Sequence, residues 1–104
     1  MGDPANPLRG EAELILDGRR IVLRPTFEAL VAAEEELGSL FALVERAANG
    51  QLTLSELTAL FWHLIKDRPV ALTREQLGEQ MIALGLSGVT PTLKTVLKQV
   101  LQGV

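Results

Sequence analysis

The 104-residue chain has no cysteine and no tyrosine, a single histidine and tryptophan, and only 4% aromatic residues. Without cysteine there are no disulfides, no thiolate nucleophile and no cysteine-ligated zinc or iron–sulfur centre, and a reducing cytosol is the default compartment. One histidine, His63, rules out paired-histidine metal sites, so any metal would rest on carboxylates gathered around it. No window approaches the roughly 18 uninterrupted apolar residues of a membrane span, and the start lacks the basic and apolar regions of a signal peptide. The expected protein is cytoplasmic and touches no membrane. A net charge of −3 offers no broad footprint for a phosphate backbone, and nucleic acid is not an expected partner.

What remains is aliphatic. Hydrophobic residues make up 47% of the chain and charged residues 22%, an apolar share high enough for part of that surface to face a partner. At this length folding buries roughly two-thirds of the unfolded chain's surface, enough for a core without staples. The segment 1–9, with Pro4, Asn6 and Pro7, reads as a flexible arm, and 10–104 as a single domain.

The runs 11–16 and 19–24 flank Asp17-Gly18, the dipeptide that supplies the positive φ angles of a two-residue hairpin turn. That register sets Leu16 opposite Arg19, Leu14 opposite Ile21 and Ala12 opposite Leu23 on an oily face. Glu11–Arg24, Glu13–Val22 and Ile15–Arg20 form the other, mostly charged face. A lone hairpin is marginal, so helices must cover its oily face or its open edges must pair with another chain.

Helix signals follow in series. Thr26 caps a helix over 27–37 that stops at Gly38, and Ser39 caps one through Ala48. Thr53 with Glu56, and Thr73 with Gln76, are capping boxes with leucine staples, opening helices over 54–66 and up to Gly85. Thr90 as cap and Pro91 in the first turn open the last helix, striped by Leu93, Val96, Leu97, Val100 and Leu101. The expected fold is α+β: a two-stranded antiparallel hairpin, then four to five short helices packed as a small bundle.

Chemistry is sparse. No phosphate loop, dinucleotide fingerprint or nucleophile elbow occurs, no cofactor or metal is implied, and the expectation is a protein that is not an enzyme. His63 falls away from Phe61 and Leu57, with Asp67 the only carboxylate within a turn, and reads as a surface or structural group. Glu35 and Glu36 read as solvated. Glu34 falls within the stripe of Phe27, Leu30, Val31 and Leu37, which predicts a buried carboxylate paired with an arginine such as Arg24 or Arg46, or an edge position, or alternatively a partner contact. Trp62, at the margin of its helix's stripe, closes the core or anchors an interface. Arg20 belongs to a locally basic hairpin interleaved with acids, a charged solvent face. Glu34, Trp62 and Arg20 are the candidate partner-binding residues.

The order of Asn6-Pro7, Arg9-Gly10-Glu11, Leu16-Asp17-Gly18, Leu23-Arg24-Pro25-Thr26, Ala29-Leu30 and Glu34-Glu35-Glu36-Leu37-Gly38 resembles a family. It is the small-protein family encoded in the tail modules of bacterial gene transfer agents and related prophages, described as tail assembly chaperones or as tail tube proteins. The likeness runs from about residue 6 to 101, although Pro25 and the adjacent Trp62 and His63 have no counterpart tied to the family. It implies a chaperone or adaptor that keeps a tail component soluble, such as the tape-measure protein, while tail tube subunits polymerise. The alternative it implies is a structural tube component, with homo-oligomers possible. No functional residue of the family is carried onto a position here.

Overall fold

The computed structural model describes residues 12–16 and 18–102. The expected arm, Asp17 of the turn, the Glu11 pair and the last two residues lie outside the described residues. Strand β1, Ala12–Leu16, pairs antiparallel with β2, Arg19–Leu23, in the register the turn dictates: Leu16↔Arg19, Leu14↔Ile21 and Ala12↔Leu23. Gly18 takes φ +72°, a left-handed conformation that a side chain would resist. Ala12, Leu14, Leu16, Ile21 and Leu23 are all buried, so alternation alone assigned the inner face correctly.

Five helices follow among the described residues: α1 Phe27–Leu37, α2 Leu40–Ala48, α3 Leu54–Leu64, α4 Arg74–Leu84 and α5 Leu86–Gln102. This is the expected α+β arrangement. The caps act as their spacing requires. Thr26 Oγ1 accepts from the Ala29 amide and Ser39 Oγ from Ala42, while both capping boxes close reciprocally between Thr53 and Glu56 and between Thr73 and Gln76. Phe61, Leu60 and Leu64 of α3, Leu77 and Met81 of α4, and Val89, Val96 and Leu97 of α5 close over the hairpin's inner face.

Two boundaries differ from expectation. Helix α3 ends at Leu64 rather than near Lys66, because Ile65 turns extended and the chain joins the sheet. The Arg24 amide donates to Leu64 O at 2.7 Å, Lys66 N donates to Val22 O at 2.8 Å, and Leu23 bridges Ile65. Asp67, at φ +53°, then reverses the chain. Helix α5 begins at Leu86, so Pro91 lies inside it rather than in its first turn. Burial of Val89, one turn upstream of Leu93, draws the extra turn into the core and offsets the backbone donor that proline lacks.

These boundaries change the status of the sheet edges. Residues 64–66 occupy the outer edge of β2, and on the outer edge of β1 the Glu13 carbonyl accepts from the buried Thr92 hydroxyl of α5 at 3.3 Å. The β2 edge is therefore taken by the protein's own chain, while the β1 edge carries one side-chain hydrogen bond, to the Glu13 carbonyl.

Candidate functional site

Helix α1 divides the surface into two dissimilar flanks. The large residues Phe27, Leu30, Val31 and Leu37 suggest a core stripe through them, but the fully buried residue is Ala33. Phe27 is 85% exposed. The helix has turned so that its alanine side meets α3, where small side chains let two backbones approach while α3 supplies the bulk through Leu57, Leu60 and Phe61. The stripe's outer members, Phe27 and Val31, are displaced toward solvent.

Glu34 lies on that displaced flank at i+7 from Phe27. It is exposed, at the stripe's edge rather than buried with Arg24 or Arg46, which is the edge position the sequence also allows. Its Oε2 instead accepts from the Leu40 amide at 3.1 Å, satisfying a free donor in the first turn of α2. Arg46 pairs with Glu56, whose other oxygen caps Thr53, so a single carboxylate binds α2 to the start of α3. The Thr53 amide, together with Arg46, holds the Glu56 carboxyl below its ordinary value.

Beside Glu34 opens a cavity of about 150 Å³, lined by Leu40, Phe41, Val44, Val100 and Leu101. Phe41 is 79% exposed at its margin. Two of the chain's three phenylalanines thus stand in water, an arrangement that costs solvation unless something covers it.

On the opposite flank of α1 is a polar clamp. Arg74 of α4 forks onto Glu36 through two hydrogen bonds of 2.6 and 2.7 Å, and His63 Nε2 of α3 lies 2.8 Å from Glu36 Oε1. Glu36 is exposed, as expected, but it is paired, and His63, to which helical spacing offers only Asp67, meets a carboxylate from 27 residues away. The Arg74 hydrogen bonds, then those of His63, pull the Glu36 carboxyl down to about 2. Glu36 in turn raises the Arg74 guanidinium. Trp62 packs its inner side against the core, while Arg68 lies 4.0 Å and Arg74 5.6 Å from its ring centroid. Arg68 also donates to the Trp62 carbonyl. The ring closes the core under two cations.

Arg20, half exposed on the hairpin's outer face, pairs diagonally with Glu13 at 3.2 Å. Glu34, Trp62 and Arg20 accordingly sit in three separate contact groups and do not converge. Sequence reasoning missed Phe41 and Arg74 as surface features and placed Phe27 in the core. The available signal was the Ala29, Ala32 and Ala33 set, which offers α1 a second possible inner face. Among the described residues, no group of three or more His, Asp or Glu side chains could hold a metal ion, and no helix is long and apolar enough to cross a membrane.

Every element of this architecture lies within one comparison: residues 9–103 match the sequence model of the family described as "Phage tail tube protein, GTA-gp10". The chain belongs to this family. It is a phage-tail-related protein of the kind found in gene transfer agents. No curated protein and no solved structure matches it. For a member of this tail family, the pairing of a small internally engaged sheet with an exposed aromatic helix face is the feature to be explained.

Proposed function

We propose that this tail protein is an assembly chaperone or adaptor rather than an enzyme, holding a tail component such as the tape-measure protein until tube subunits polymerise around it. The observation that carries the reading is where association remains available. The two-stranded sheet spends its β2 edge on residues 64–66 and one β1 carbonyl on Thr92, whereas α1 and α2 leave Phe27 and Phe41 in solvent. Binding through helices needs only apolar contact and releases its partner without chemistry.

A structural tube component is the second reading, favoured by the family's own description. Against it, a ring of joined sheets needs a strand edge on each side, and here the β2 edge would have to shed residues 64–66 first. One experiment separates the two. Mass spectrometry of purified particles should find the chain absent or far below the stoichiometry of a tube subunit, while co-expression and pull-down should recover it with a neighbouring tail protein. Abundance in finished particles would establish the tube reading instead.

A further inference from the structure

Resting on the adaptor reading, we infer that the α1–α2 flank is the docking surface and that its occupant is a basic amphipathic helix. The track follows one face of α1 to the cavity. Phe27, Val31 and Glu34 recur at i, i+4 and i+7 along about 10 Å of α1. Glu34 then borders the cavity that Phe41 and Val44 share with Val100 and Leu101 of α5, an enclosure with room for one aliphatic side chain. A helix laid along this track would cover Phe27 with one apolar residue and seat another in the cavity.

Charge selects the kind of helix. Glu28 and Glu35 share one side of the track at i, i+7, Glu34 stands at the cavity's lip, and Glu45 is exposed on α2. None of the four makes an ion pair among the described residues, whereas Glu36 and Glu56, on other flanks, are both matched by arginines. An apolar track bordered by unmatched carboxylates complements a helix whose apolar stripe is flanked by lysine or arginine. A strand is the poorer occupant, because the sheet's edge groups noted above are already bonded.

The test uses the full chain and a model amphipathic peptide of leucine and lysine, roughly 18 residues long so as to span about five turns. Calorimetric titration should show binding that weakens about tenfold between about 50 and about 500 mM NaCl. The same peptide with glutamate in place of lysine should not bind. Phe27→Ser and Phe41→Ser should each weaken the lysine peptide about tenfold, as loss of an aromatic anchor does. The double reversal Glu28→Lys, Glu35→Lys should weaken it comparably and remove most of the salt dependence. Circular dichroism checks that each variant is folded, and the three variants alter independent positions, so one misfolded variant leaves the others decisive. Equal binding of the glutamate peptide, or unchanged binding by both phenylalanine variants, would overturn the inference. So would a dimer in sedimentation that Phe41→Ser dissolves, since the face would then belong to a second copy. If the peptide binds here but no tail protein co-purifies, the adaptor reading fails and the surface stands. Co-purification that survives both serine variants has the opposite meaning.

Discussion

The two flanks of α1 carry the same helix and opposite physics. Toward α3 and α4, Glu36 is gripped by Arg74 and His63 and the backbone is held close by Ala33. Toward α2 and solvent, Phe27 is bare, and Glu34 satisfies only a backbone amide. The difference teaches that side-chain size did not choose the inner face. Closeness to α3 did, because a packed α3 already provided volume and required a thin neighbour.

The largest effect is expected on the packed side of α1, at Phe61. Phe61→Ala empties a fully buried site and should cost about 3–5 kcal/mol in urea unfolding. Next in size, Ala33→Leu pushes bulk between α1 and α3 and should cost about 1–3 kcal/mol. If it were neutral, the alanine side would not be the true inner face.

The clamp should contribute less. Glu36 and Arg74 are each more than a third exposed, so Arg74→Ala should lose about 0.5–1 kcal/mol after allowing for solvent screening. Its pH signature is clearer than its size. The Glu36 carboxyl titrates near 2 when folded and near 4.5 when not, so its contribution is complete above pH 4.5 and disappears as pH falls toward 2. Glu36→Gln should flatten that part of the stability profile, leaving the weaker slope due to Glu56 in the same acid range. Smallest of all, Phe27→Ser and Phe41→Ser should move unfolding by no more than about 0.5 kcal/mol, since neither ring is packed. A large loss at either would mean that the ring supports the fold, and the second flank would then be a second part of the core.

Local signals were legible throughout. The hairpin register follows from the two-residue turn and strict alternation, and four helix starts follow from Thr26, Ser39, Thr53 and Thr73, because a cap hydroxyl acts on an amide three residues away. The misplaced starts and stops were positions where distant contacts outweighed local preference. Ile65 leaves α3 to bridge Leu23, and Val89 extends α5 past Pro91. The candidate site was hardest to read, since its parts come together only in space.

The amino-acid order by itself determined where both strands and helices α1 to α4 begin and which hairpin residues turn inward, all of which depend on neighbours within a few residues. Tertiary structure alone decided how far α1 rotates, that Glu36 finds Arg74 and His63, that the β2 edge is engaged, and that Phe27 and Phe41 remain outside. A helix with two faces apolar enough to be buried has no internal preference between them. The element packed against it makes that choice.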